Sequence, residues 1–407
     1  AGLLVAVLRF LTGDETALKR YFDRNRERRG FEALTEGFMA LAAGEGNRAQ
    51  TMASKAERLL AQPSLTRLIN AEAAEKAGNR ERAETYYKRM LEDDRTRFVG
   101  IQGLMRARLE AGETDTALKL AEKAFALRPK HEGTLKTLFA LQSEKADWAG
   151  ARKTLQATVR ARALPRDVGN RREAVLAVAN ARAAMEAEET DKARTAVEEA
   201  VRLAPGLVPA ATLAAELHIR AGDARKATQV LRRAWEEAPH PDLAAAFAAI
   251  APDEGAEARL KRFQTLLRIK PGHPETAMLL AELELAAENF PGARKAIRDL
   301  AETQPTTRTL AIMAAIARGE GAEDEVVRGW LAKALSASRG DQWCCTNCRT
   351  VHGSWAPVCE NCGAFDTMTW MRPPSGGEDT ATAAAAMLPI VTETATAPAT
   401  ESAEPPA

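Results

Sequence analysis

No cysteine occurs in the first 343 of the 407 residues, so a disulfide framework spread along the chain is excluded. Aromatic residues are scarce at 5%, and runs of Val, Ile or Thr are few, which argues against extended sheets. An excess of one charge is also lacking. The 57 Lys and Arg against 56 Asp and Glu leave a formal charge of +1, which removes any global argument for nucleic-acid binding. The apolar opening, Ala-Gly-Leu-Leu-Val-Ala-Val-Leu-Arg-Phe-Leu, is eleven residues long, where a membrane span needs about twenty. Catalytic spacings are missing too: there is no GxSxG, no HExxH, no phosphate-binding loop and no dinucleotide GxGxxG. Gly44-Glu-Gly46 and Gly319-Glu-Gly321 are too short to cradle phosphate. The five histidines are scattered. His131, His240 and His273 stand near prolines and His218 lies within a helical run, positions that suit structural roles better than haem ligation. Catalysis by converging side chains is not expected.

What is present is alanine, leucine and balanced charge, a mixture that favours close-packed helices. Small residues recur at Ala49, Ala83, Ala117 and Ala151, each 34 residues after the last, the period of tetratricopeptide repeats. After an eight-residue insertion the register resumes at Ala193 and Ala227 and continues, with altered spacing, through Ala258 and Ala293. Eight units result, with a degenerate ninth near Val326. Other positions agree. Twelve residues before the anchor stand Gly37, Ala71, Ala181, Ala215, Ala246 and Ala281, although Met105 and Phe139 depart; seven after it stand Ala56, Ala124, Ala200 and Ala234. Pro129, Pro205, Pro239 and Pro305 fall twelve after it and end the second helix, with Pro271 one residue late. Turns such as Ala-Gly-Asn (77–79), Ala-Gly-Glu (111–113), Ala-Gly-Asp (221–223) and Glu-Asn-Phe (288–290) supply a left-handed cap and then a helix start.

The predicted fold is therefore all-α, a tetratricopeptide-repeat solenoid whose concave side is lined by first helices, because each helical hairpin has an apolar face that only its neighbour covers. Groove-facing positions, one residue after the small one, are Glu72, Arg106, Arg182, Glu216 and Glu282. They alternate in sign, each taken alone reads as a solvated charge, and no recurring Lys/Asn clamp for a terminal carboxylate is present. The insertion carries Arg160, Arg162, Arg166, Arg171 and Arg172, either a solvated kink or a basic patch for an acidic partner, and leads into an unusually long alanine-rich run that ends at Glu188.

All five cysteines fall between Cys344 and Cys362. Cys345-Thr-Asn-Cys348, ten residues, then Cys359-Glu-Asn-Cys362 reads as one tetrahedral metal site on a small zinc-ribbon, rubredoxin-like knuckle. Four thiolates close the shell, so the zinc is structural. Cys344 can replace Cys345 only by breaking the symmetrical spacing, and His352 is expected to be an exposed hairpin residue. Neither pair is followed by His, so covalent haem attachment is not indicated. A knuckle this small has no core of its own. Some of Trp343, Trp355, Phe365 and Trp370 are thus expected to cover the metal turns and others to dock the knuckle on what precedes it.

Five segments follow: 1–29, the end of a membrane anchor with a basic flank; 30–165 and 166–340, two sets of repeats; 341–371, the zinc ribbon; and 372–407, a tail with little to bury and disordered by composition. The chain opens without Met and looks cut from something longer. Lys19, Arg20, Arg24, Arg26, Arg28 and Arg29 against Asp23 and Glu27 form the flank of a membrane helix on its cytoplasmic side, or the polar face of an amphipathic first helix. Reduced thiolates agree with a cytoplasmic location. The only apolar interruption of the tail, 387–391, is a candidate linear motif.

Residues 28–44, Arg-Arg-Gly-Phe-Glu-Ala-Leu-Thr-Glu-Gly-Phe-Met-Ala-Leu-Ala-Ala-Gly, together with the repeats and the tail around Trp355 to Cys359, Phe365 and Trp370, resemble HemY-type proteins of proteobacteria, over most of residues 1–371. The resemblance implies an inner-membrane scaffold for protein partners, including haem-pathway enzymes, with repeats on the cytoplasmic side and a role in haem (protoporphyrin) metabolism that is not clearly catalytic. A flavin-dependent protoporphyrinogen oxidase that shares the name carries a dinucleotide fingerprint absent here. The architecture is also similar to lipopolysaccharide assembly protein B, which would imply an adaptor that brings an enzyme to a membrane protease. A tetrapyrrole-binding carrier is a third reading; haem binding has no argument in the residues themselves.

Overall fold

The computed structural model describes residues 17–374. The apolar opening and the 387–391 motif lie outside the described residues. The chain divides into two compact units, Ala1–Leu164 and Pro165–Ala407. In the first, helices pair as α1 (Ala17–Ala42) with α2 (Gly46–Leu59), α3 (Pro63–Lys76) with α4 (Arg80–Met90), α5 (Asp94–Glu110) with α6 (Thr114–Leu127), and α7 (Glu132–Glu144) with α8 (Trp148–Arg160). In the second the pairs are α9 (Arg166–Glu186) with α10 (Thr190–Leu203), α11 (Val208–Arg220) with α12 (Ala224–Glu237), α13 (Pro241–Ala248) with α14 (Ala256–Leu267), α15 (Pro274–Ala286) with α16 (Phe290–Thr303), and α17 (Thr307–Gly319) with α18 (Asp324–Ser336).

The repeat follows from side-chain size. Ala49, Ala117, Ala151, Ala193, Ala227 and Ala293 are wholly buried, as are Ala71, Ala181, Ala215 and Ala281 on the facing first helices, because two backbones approach where only a methyl fits. Gly44, Gly78, Gly112 and Gly222 close their hairpins at φ between 73° and 78°. At the same place in other hairpins Ala146, Glu188 and Glu288 take φ of 54° to 60° without glycine's freedom. The next residue often caps: Asn79, Asp147, Asp223 and Asn289 each accept from a backbone N–H of the following helix.

Two units depart from the expected register. In the seventh, Ala258 is exposed and Ala246 only half-buried. Its first helix, α13, has just eight residues, and Phe247 and Phe263 fill the junction instead, perpendicular with ring centroids 4.9 Å apart. In the ninth, Val326 is 48% exposed and the neighbouring Val327 takes the inward position.

After α18 the chain forms an antiparallel sheet of β1 (Gln342–Cys345), β2 (Val351–His352) and β3 (Met368–Met371) in the order β2-β1-β3. Trp343, Trp355 and Met368 are buried in one apolar cluster with residues of α9, α11 and α13, so the knuckle borrows the core of the repeats.

Candidate functional site: a four-cysteine knuckle walling a cleft

The two CxxC turns are built alike. Cys345 N–H donates to Thr350 O and Arg349 N–H to Cys345 O; Cys359 N–H donates to Ala364 O and Gly363 N–H to Cys359 O. Arg349 and Gly363, each just after a CxxC, both take left-handed φ, 64° and 68°. This turn aims the N–H groups of Asn347 and Cys348 at the Cys345 sulfur, and those of Asn361 and Cys362 at the Cys359 sulfur. The four sulfurs lie within 4.8 Å of one another. Cys345 and Cys362 are 3.7 Å apart, as are Cys348 and Cys359. A tetrahedron with metal–sulfur bonds of about 2.3 Å has edges of about 3.8 Å, so the four thiols fit a metal ion.

The electrostatics agree. Side-chain hydrogen bonds with Thr350 and Asn361 draw the Cys348 thiol down to about 5, whereas burial pushes Cys359 up to about 12. A metal ion bound by all four sulfurs would hold them as thiolates. Cys344 is no part of the cluster: successive strand residues face opposite ways, and its sulfur points toward Met371 O at 3.7 Å. His352 corrects the expectation of an exposed residue. It is half-buried on β2, with Nε2 3.3 Å from Cys359 Sγ, where it supports the sulfur.

The knuckle docks through aromatic and charged side chains. The ring of Trp355 lies under the Arg182 guanidinium, 5.0 Å from its centroid. Arg171 pairs with the nearly buried Asp366 carboxylate at 3.1 Å, so this arginine of the insertion meets the chain's own knuckle. Trp343 and Trp370 pack edge to face, 5.4 Å apart, and His240 sits against both at 5.2 and 4.3 Å. His240 is a buried packing residue whose Nδ1 accepts from Asp242 N–H; burial, with Arg308 nearby, lowers its pKa to about 4.

Beside the knuckle opens a cleft of about 2210 Å³ between it and α15, α17 and α18. Met278, Leu285, Ala311, Ala315, Leu335 and Trp370 line it, all at least partly exposed. On its wall Arg308 forks between Glu275 and Glu282, with four bonds of 2.8–2.9 Å. Glu282 is thus half-buried and paired. Glu216 is exposed and bonded to Arg220 at 2.6 Å, on its own helix. In the other unit Glu72 is exposed, and Arg106 bonds Glu75 and the Tyr87 hydroxyl. Sequence reasoning missed His240, the Arg308 pair and Asp366. Glu275 and Arg308 are 33 residues apart, close to one repeat, so comparing charges one period apart was the signal that could have found them.

Residues 1–78 match the family model described as HemY protein N-terminus, and residues 184–251 match a tetratricopeptide-repeat model. The chain therefore carries a HemY-type N-terminal segment and tetratricopeptide repeats. A curated relative, the probable magnetosome protein Mms48 of Magnetospirillum gryphiswaldense, is 28% identical over 192 residues, 46% of this chain and 43% of that protein. The chain thus spans less than half the length of this relative. Similarity to solved structures is low. Naa15/Naa10 bound to HypK-THB has a TM-score of 0.42 at 12% identity, covering 82% of this chain and 58% of that one. Yeast Tom70 has 0.33 at 13% identity, covering 76% and 85%.

Proposed function

We propose that this HemY-type chain is a non-enzymatic scaffold whose cleft holds a segment of a partner protein and whose knuckle, braced by zinc, forms one wall of that cleft. The observation that carries this reading is the half-exposed apolar lining of the cleft, beside a knuckle whose apolar core is the one it shares with the repeats. Cys345, Cys348, Cys359 and Cys362 hold the zinc, which neutralises their charge and fixes both turns; with four sulfur ligands it offers no open position to a substrate. Glu72, Arg106 and Glu216 remain exposed or partly paired on first helices and contribute polar contacts to partners.

The HemY N-terminal match supports placing the scaffold at the bacterial inner membrane, with its repeats on the cytoplasmic side and haem-pathway enzymes as partners. No helix among the described residues is long and apolar enough to cross a membrane. The docking of the knuckle on the repeats also favours a second reading, an adaptor of the lipopolysaccharide assembly protein B type. Co-purification from membranes separates the two: haem-pathway enzymes support the first, a membrane protease the second. Leu335→Asp, at a side chain 71% exposed on the cleft, is expected to lose the partner without unfolding. Unchanged capture by this variant overturns the groove, and conversion of a porphyrin by the purified protein overturns the scaffold. Haem added to the protein should leave its absorption spectrum that of free haem; a bound spectrum would instead make it a carrier.

A further inference from the structure

Arg182, on α9, is a cation without a counter-charge. Its guanidinium lies 5.0 Å from the centroid of the Trp355 ring, and its Nη1 is 3.5 Å from the Trp355 carbonyl oxygen. The knuckle thus holds the arginine with a ring and a carbonyl, and neither neutralises it. Among the described residues no carboxylate pairs with it, and the residue remains exposed to an incoming group. Other arginines differ. Hydrogen bonds to Glu113 and Glu320 raise the pKa of Arg108 and Arg294, whereas partial burial lowers that of Arg182 with no anion to oppose it.

Arg182 lines a second pocket, a cup of about 570 Å³ between α9, α11 and α13 that shares no lining residue with the knuckle cleft. Leu213, Ile219 and Ala246 form its apolar wall and are all partly exposed. The one carboxylate of the lining, Glu216, is already bonded to Arg220 at 2.6 Å. The cup therefore offers a single net positive charge on an apolar surface. One charge suits a single carboxylate rather than a polyanion, and the wall suits a carboxylate whose neighbours in the chain are apolar rather than a free ion.

We propose that this cup receives an Asp or Glu side chain of the partner protein, flanked by an apolar residue, with Arg182 as its counter-ion. The proposal rests on the reading of the chain as a partner-binding scaffold and adds a charged subsite to it. It is tested with a phage-displayed library of random twelve-residue peptides, selected on the zinc-loaded full chain, on Arg182→Gln and on Ala249→Trp. Arg182→Gln also removes a contact that docks the knuckle. Ala249→Trp fills the cup from an exposed position and leaves Arg182 on Trp355. The expected result is a set of binders to the natural chain rich in an acidic residue beside an apolar one, and loss of this preference on both variants. Changing that acid to its amide in a selected peptide should weaken binding to the natural chain about tenfold and leave binding to Arg182→Gln unaltered. Binders without an acidic preference, or a preference kept on either variant, overturn the proposal. If binders without that preference are lost with Leu335→Asp, the scaffold reading stands and only the charged subsite falls; if no peptide is selected on the natural chain, both fall.

Discussion

Cys359→Ser should release the knuckle from the repeats and weaken the second unit. Cys359 is 1% exposed within the shared apolar cluster, and the knuckle's three strands contain four, two and four residues, too few to stand without the ion. Trp343 and Trp355 are 7% and 6% exposed. Each indole removes about 200 Å² from water, which at about 25 cal/mol per Å² gives a gross contribution of about 10 kcal/mol for the pair. The freed segment regains much of this as conformational entropy, at about 1.5 kcal/mol per residue. The net loss expected for the second unit is therefore about 3 kcal/mol, and its melting midpoint falls by about 6–12 °C. Calorimetry should show the lowered transition, with tryptophan emission shifted to the red as the indoles meet water. A chelator should reproduce both changes in the natural protein and change the variant little. An unaltered midpoint and an unaltered emission maximum after substitution and after chelation would refute the argument, since the indoles would then be docked by something other than the metal turns.

Four further outcomes are expected. Gly46→Ala places a methyl 2.6 Å from the backbone of Lys76 and Ala77, which cannot move aside; a loss of about 2 kcal/mol should appear in denaturant unfolding of the first unit. Arg349→Gly removes a left-handed strain that its twin, Gly363, does not bear, and should stabilise the zinc-loaded knuckle by about 1 kcal/mol against chelator. Arg308→Ala strands the buried Glu275 carboxylate at a cost of about 3 kcal/mol. Burial already raises the Glu275 pKa, so the folded state binds its proton more readily; the variant's deficit in urea should shrink as pH falls from 7 toward 5. His240 has the opposite sign. Its pKa is lowered from 6.5 to about 4, so folding releases its proton and stability is lost as pH falls through this window, up to about 3 kcal/mol. His240→Leu should be correspondingly less sensitive to acid, with melting midpoints at pH 7 and 4.5 as the check.

The positions that had to be small were legible because they repeat: Ala49, Ala83, Ala117 and Ala151 declare a period of 34 by themselves, and the backbone contact behind them allows nothing larger. Cysteine spacing declared the metal cluster just as locally, since a CxxC turn aims its sulfurs without help from the rest of the chain. Where small residues were plentiful the register misled. Ala246 and Ala258 fit the spacing, but two phenylalanines made a better junction around a shortened α13.

The repeat and the gathering of the four cysteines were thus legible in the sequence alone, because both depend on contacts within one repeat length. Tertiary structure alone decided which face the knuckle covers. Arg182 is separated by 173 residues from Trp355, and no periodic pattern relates Arg171 to Asp366 or His240 to Trp343 and Trp370. Such partners are chosen by the shape and burial of an assembled surface, which exists only after the hairpins have stacked.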